Sequence, residues 1–377
     1  MKRLYKAAAA VLTLLVCAVM MSAGKKPAAE PEAYILSEAD TGTVLDEKNS
    51  KELCNVGYLS KLMSLLLIAE DIETGKYSVE TVLTASQSVY GTKGSVVWLE
   101  PRDSMTVEEL LKSVIIGNAN DALTVLAEAS EGSVDKFVMR MNAEAFDLGL
   151  RNTAFFSPYG FYDEREHTTA AELAVICSRL VHYEKLRPYF RTWRDFVRNG
   201  AVELVSENSL TRTYSPHIGL KAAHSEASGY CIAEAAMSEE GVCYISLVLG
   251  AEDEDSSHKT AKKLCKKGFN EFKVTATMFP DEMLMPVKVK KGIDTAAGIR
   301  LKNQSALVIP KGAGELRTVT VLPQYLTAPV RRGQVLGCAA FYNGKTLVYE
   351  SEIVAADNIG RLDCGYAFRK MLLNLLE

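Results

Sequence analysis

No C-x-x-C pair occurs in this chain of 377 residues, and the 5 histidines do not group with the cysteines. The ligand spacing of a zinc site is therefore missing, and neither a metal nor a cofactor is expected. Basic residues are not in excess: 43 Lys and Arg stand against 47 Asp and Glu, a formal net charge of −4. That balance gives no electrostatic footprint for nucleic acid as a partner. A membrane-spanning helix needs about 20 consecutive apolar residues, and the run from Ala7 to Met21 falls short of that.

That run follows Lys2, Arg3 and Lys6 and precedes Ser22-Ala23-Gly24. This is the order of a secretory signal peptide cut near Ala23 or Gly24, so residues 1–24 are assigned to it and the mature protein to the cell envelope. Cys17, preceded by Leu15-Val16, fits a lipoprotein cleavage site poorly and belongs to the apolar run. The other cysteines, Cys54, Cys177, Cys231, Cys243, Cys265, Cys338 and Cys364, are scattered and mostly embedded in apolar segments. They read as small buried hydrophobes. Cys231 and Cys243 lie on neighbouring predicted strands, but a turn at Ser238–Gly241 puts them out of register.

A polar linker, Lys25 to Pro31, leads into Ala33-Tyr34-Ile35-Leu36 and Thr43-Val44-Leu45, which flank Asp40-Thr41-Gly42 as a hairpin. A helix is predicted from about Leu59 to Ile72. Others are predicted from Thr106, boxed with Glu109, to about Ile116, from Asn120 to Ala129, and from Val134 to Leu148. One more runs from Thr169, with Glu172, to Leu180. Strands follow at 219–222, 229–233 and 242–249, closed by a helix from about Ser257 to Phe272. Two strands, a helical insertion, three strands and a packing helix make an α/β (α+β) domain over 33–272. From Lys273 to Ala356 the pattern becomes short alternating segments between Gly-, Pro-, Asn- and Asp-rich turns, a small all-β sandwich domain. Residues 357–377 read as a helical tail ending in Met371-Leu372-Leu373-Asn374-Leu375-Leu376. Peripheral membrane contact and packing on the β-domain are both open to it.

The stretch around which the chain is organised is Tyr58-Leu59-Ser60-Lys61, followed by Leu62-Met63-Ser64 and Leu65-Leu66-Leu67-Ile68. Lys61 falls in the first turn of a helix apolar on nearly every side, and burying an unpaired ammonium is expensive. Either it snorkels to the surface, or its pKa is depressed and it is a general base for a nucleophile one turn earlier. Position i−3 holds Tyr58, so the tyrosine hydroxyl or ring is expected to compensate the lysine charge. Ser60 points about 100° away around the helix, and Ser64 lies a turn deeper.

Two further motifs follow in order: Asn118-Ala119-Asn120-Asp121-Ala122 at a helix start, and Lys221-Ala222-Ala223 before Glu226-Ala227-Ser228-Gly229-Tyr230-Cys231. Together with Tyr58-Leu59-Ser60-Lys61 they resemble the S-x-x-K, S-x-N and K-T-G motifs of the serine-type D-alanyl-D-alanine carboxypeptidases, the low-molecular-weight penicillin-binding proteins. Ser157-Pro158-Tyr159-Gly160 and Val335-Leu336-Gly337 also resemble segments of that family, and the likeness extends over about Ala33 to Ala356. It implies a β-lactamase/transpeptidase-like fold acting on the D-Ala-D-Ala end of a peptidoglycan stem peptide through an acyl-enzyme.

By the same resemblance, position 58 is that of the nucleophilic serine, Lys61 that of the base, and Asn118 that of the proton-relaying serine. Asn120 would hold the substrate amide. Lys221 and Ala222 stand where lysine and threonine bind the terminal carboxylate, and Ala223 where glycine lets the substrate approach. Lys61, Asn120 and Lys221 match the pattern; Tyr58, Asn118, Ala222 and Ala223 depart from it. Three functions follow as expectations: a catalytically degenerate copy that binds stem peptides or an envelope protein, a carboxypeptidase with a non-standard nucleophile, or a structural envelope protein.

Overall fold

Glu38 and Thr43 close the first turn of the chain, with Glu38 N–H donating to the Thr43 carbonyl and Gly42 N–H to the Glu38 carbonyl, both at 3.0 Å. Gly42 supplies the positive φ this turn needs, +66°. The hairpin joins β1 (Ala33–Glu38) to β2 (Val44–Lys48). The computed structural model describes residues 31–161, 163–275, 285–302, 306–313, 316–363 and 365–366. The expected signal peptide, most of the expected linker and the end of the expected tail lie outside them.

The expected helices form where their caps are local. α1 (Lys61–Glu73) starts two residues later than expected, because Gly57–Ser60 wind first into a tight 3₁₀ turn. After the small hairpin of β3 (Val82–Thr84) and β4 (Ser104–Thr106), Thr106 and Glu109 make the predicted reciprocal cap of α2 (Val107–Ile115). α3 (Asn120–Glu131) ends on Gly132 at φ +79°. Ser133 caps α4 (Val134–Asp147) and Thr169 caps α5 (Ala170–Leu180). The short α6 (Arg187–Phe190), a hairpin of β5 (Arg194–Val197) and β6 (Val202–Val205), and α7 (Leu210–Thr213) were not visible in the sequence pattern.

The strand expected at 219–222 is two strands, β7 (His217–Gly219) and β8 (Ala222–Ser225). Both pair antiparallel with β9 (Gly229–Met237), with a register shift between His217 and Gly219. β10 (Cys243–Ala251) returns by a turn closed by Ser238 and Val242, and α8 (Glu254–Glu271) follows. The sheet runs β2-β1-β10-β9-β7, with β8 also on β9. The described cysteines form no disulfide, and Cys177, Cys231, Cys243 and Cys265 are buried.

Packing divides the described chain into two compact units. One comprises residues up to Ile35, Asp46–Ala236 and Ile245–Lys263, and the other Leu36–Leu45, Met237–Tyr244 and the residues from Leu264 on. The second contains the all-β segment. There β11 (Phe272–Thr275) is followed by β12 (Val287–Lys290), β13 (Ala296–Ala297), β14 (Ile299–Leu301) and β15 (Leu307–Pro310). β16 (Arg317–Val321), β17 (Tyr325–Thr327), β18 (Val335–Asn343) and β19 (Thr346–Ala355) complete it. They make the sheets β14-β19-β18-β16 and β13-β12-β17 and the pair β11-β15, around a core that includes Val287, Ile299, Leu301, Leu307, Phe341 and Ile353. The start of the expected helical tail is extended chain: Ile359 bridges to Val330 and Arg361 to Gly292. Buried Ile359 joins the β-domain core there. No helix among the described residues is long and apolar enough to cross a membrane.

Candidate active site

Backbone contact fixes the turn that carries Tyr58. Gly57 has φ +52° and Gly160 φ +78°. A Cβ built on Gly160 would lie 2.0 Å from the Gly57 carbonyl oxygen and 2.9 Å from Tyr58 Cα, so only glycine lets the two loops touch. The turn delivers Lys61 to the first position of α1, where its side chain is 0% exposed. Its Nζ donates to Asn118 Oδ1 at 2.7 Å and to the Asn118 carbonyl at 2.9 Å. It also lies 4.8 Å from the centre of the Tyr58 ring. The snorkelling alternative is thus excluded, and the ring-over-ammonium arrangement is the one found.

Burial holds the Lys61 pKa well below that of an ordinary lysine. Nearby Lys221 adds to the depression, and Glu207 opposes it. Asn118 meets Lys61 from a left-handed backbone, φ +58°, and its Nδ2 reaches Glu207 at 3.5 Å. Aromatic rings surround the same place: Phe161 packs edge-on to Tyr58 at 6.4 Å and against Tyr159 at 5.3 Å. Asn120 donates from Nδ2 to the Lys93 carbonyl at 2.7 Å. Its Oδ1 is buried and has no hydrogen-bond donor among the described residues.

Lys221, only 4% exposed, turns into the protein. Its ammonium donates to the carbonyls of Val114 at 3.1 Å and Ile115 at 2.9 Å, at the end of α2, where a cation satisfies carbonyls the helix leaves open. Burial brings its pKa down to about 8, against the opposing pull of Glu207. Ala222 and Ala223 open β8, which pairs with β9 alone. Both line a cavity of about 300 Å³. The structure therefore gathers Tyr58, Lys61 and Asn118 into direct contact, and places Ala222 and Ala223 on the neighbouring cavity wall.

The two nearby serines are hydrogen-bonded away from Lys61. Ser60 donates to Glu166 Oε1 at 2.6 Å, and Ser64 to the Pro158 carbonyl at 2.9 Å. Both are buried. Burial raises the Glu166 pKa, opposed first by the Ser60 hydrogen bond. Glu166, Glu207 and Trp193 belong to this region, yet sequence reasoning missed them. They come from loops and strand ends far along the chain, and no motif marks them.

Residues 20–253 match the D-alanyl-D-alanine carboxypeptidase family. The chain belongs to that family. Residues 272–361 match the penicillin-binding protein 5 C-terminal domain. The chain is 29% identical over 335 residues to D-alanyl-D-alanine carboxypeptidase DacF of Bacillus subtilis, covering 88% of this chain and 86% of that protein. It is 27% identical over 345 residues to DacC of Escherichia coli, covering 88% and 85%. Penicillin binding protein 5 from Haemophilus influenzae superposes with a TM-score of 0.82 at 23% identity, over 89% of this chain and 99% of that one. Penicillin binding protein 6B from Escherichia coli gives 0.71 at 20%, over 88% and 97%. These likenesses establish the transpeptidase-like fold with its C-terminal β domain.

Proposed function

We propose that this family member binds peptidoglycan stem peptides outside the cytoplasm without hydrolysing them. The carrying observation is the Tyr58 ring lying 4.8 Å from the Lys61 ammonium, where the family pattern has serine. A phenolic oxygen is several ångströms from where a serine oxygen would attack, and a phenolate is a good leaving group, so an acyl-tyrosine does not accumulate. Lys61 already spends hydrogens on Asn118. Asn118 also has no hydroxyl to relay a proton.

Binding, by contrast, keeps a physical motive. Asn120 Oδ1 is a buried acceptor without a donor, and leaving such a group unmatched costs about 1–3 kcal/mol. A peptide N–H would satisfy it once the cleft opens to admit one, since the atom is closed to solvent. Export rests on Lys2, Arg3 and Lys6 before the apolar run, and the N-terminal sequence of the mature protein tests it.

The deciding experiment exposes the purified mature chain to labelled penicillin and, separately, titrates it with a stem pentapeptide ending in D-Ala-D-Ala. The expected result is no acyl adduct by intact mass, no released D-alanine, and saturable pentapeptide binding. Asn120→Ala should weaken that binding about tenfold, the loss of one hydrogen bond. A stoichiometric adduct or steady D-alanine release would overturn the non-catalytic reading, and absence of pentapeptide binding would overturn the binding role.

A further inference from the structure

The cavity beside β8, about 300 Å³, sits at the small end of the range for small-molecule sites, about 300–1,000 Å³. It has room for one side chain or terminal group, not for a whole peptide. Its wall combines the carboxylate residues Glu207 and Glu254 with the rings of Trp193, Tyr230, His224 and His258, and no lysine or arginine among the described residues lines it.

The cations that could have faced this space are directed elsewhere. Lys221 donates to the Val114 and Ile115 carbonyls, and Lys61 donates to Asn118. Arg212 stacks on Trp193 at 4.0 Å without joining the lining. His258 is engaged by the backbone: its Nδ1 meets the Glu254 carbonyl at 2.7 Å, and Nε2 accepts the Ser209 N–H at 3.3 Å. His224 stacks flat on Tyr230, ring centres 4.0 Å apart. Ala222 and Ala223 bring methyl groups and no side-chain donor. A carboxylate entering here meets two acidic side chains and no lining lysine or arginine among the described residues. Lys61 and Lys221 offset part of the Glu207 charge from behind the wall, but like-charge juxtaposition is costly. An ammonium meets opposite charge on both acidic residues, and aromatic faces of the kind that attract cations.

We infer that this cavity receives a protonated primary amine, such as the side-chain ammonium of a lysine-like residue in a peptide, and rejects a peptide's terminal carboxylate. The inference deepens the binding role proposed above and rests on it for the identity of the natural ligand. It makes the recognised end of the ligand the opposite, in charge, of the one the family motif serves.

Two blocked tripeptides serve as probes on the full mature chain: acetyl-Ala-Lys-Ala-amide, with one ammonium and no carboxylate, and acetyl-Ala-Ala-Ala with a free carboxylate. Calorimetric titration should show the first binding about tenfold or more tighter than the second, the cost of like-charge contact being of that order. Acetylating its lysine should remove the advantage, and added salt should reduce it. Glu207→Gln and Glu254→Gln should each weaken the ammonium peptide several-fold, and Glu254→Gln should do so with the melting temperature near that of the parent. Equal or tighter binding of the carboxylate peptide, unchanged affinity in both variants, or failure of the ammonium tripeptide to bind would each overturn the inference. The two readings separate cleanly. Stem-pentapeptide binding that is indifferent to acetylation of its amine keeps the proposed function and removes this inference. Ammonium selectivity among tripeptides without pentapeptide binding does the reverse.

Discussion

Asn118 contributes to this site twice, through a side-chain acceptor and through a backbone conformation, and substitution separates the two. Its Oδ1 takes a hydrogen from the buried Lys61 ammonium at 2.7 Å, a bond to a charged group worth about 1.5–3 kcal/mol. Its φ of +58° is tolerated by asparagine and glycine, but costs other residues about 1–2 kcal/mol. Asn118→Gly removes this acceptor and the long 3.5 Å contact from Nδ2 to Glu207 without straining the backbone, so the expected loss is about 1.5–3 kcal/mol. Asn118→Ala removes the acceptor and strains the backbone, for about 2.5–5 kcal/mol in all. Both tryptophans, Trp98 and Trp193, lie within Asp46–Ala236 of the first unit. Tryptophan fluorescence during urea or thermal unfolding therefore follows the unit that holds the site. For a unit of this size each kcal/mol shifts the melting temperature about 2–4 °C. An Asn118→Gly variant as stable as the parent would refute the argument that this contact offsets the lysine's burial. An alanine variant as stable as the glycine variant would refute the backbone part.

Three further outcomes are expected. Lys221 has a folded-state pKa of about 8, below the unfolded value of about 10.4. Between those values the unfolded chain holds the extra proton, so stability rises with pH by up to about 3 kcal/mol. Measured against Lys221→Met, which should lack this rise, a flat difference across that window would contradict the assignment. Tyr58→Ser alone should release no D-alanine from a pentapeptide, whereas Tyr58→Ser with Asn118→Ser, Ala222→Thr and Ala223→Gly should exceed the sum of the single variants, because such groups act as a unit; substantial turnover in the single variant would show the other departures to be harmless. Gly160→Ala should cost about 2–5 kcal/mol, since a Cβ there meets the Gly57 carbonyl at 2.0 Å. Gly200→Ala, at φ +86° with nothing within 4 Å, should cost only the backbone part, and equal losses in the two would remove the packing explanation.

What could be read from the sequence was what is local. Thr106 with Glu109 and Thr169 with Glu172 announced their helices because each cap closes within one turn. The burial of Lys61 was one of two readings the sequence left open, suggested by the apolar Leu62, Met63 and Leu65–Ile68 beside it. Its partner was not predicted, since Asn118 reaches it across 57 positions. Ser60 and Glu166 meet across 106. No period links such pairs. The split of β7 from β8 also escaped, because it depends on the register against β9. The inward turn of Lys221 depends in turn on where α2 ends. The β18–β19 hairpin was only half seen: Asn343-Gly344, with Gly344 at φ +60°, joins two strands longer than their alternation suggests.

The close approach of Gly160 to the Gly57–Tyr58 peptide bears on how such a protein changes over evolutionary time. Because the main chain at position 58 is held by its neighbours' lack of side chains, the turn does not depend on which residue stands there. Exchange of the side chain at that position should leave the turn in place and cost only the ring's own contacts with Lys61 and Phe161. The turn can therefore persist while the residue at position 58 changes.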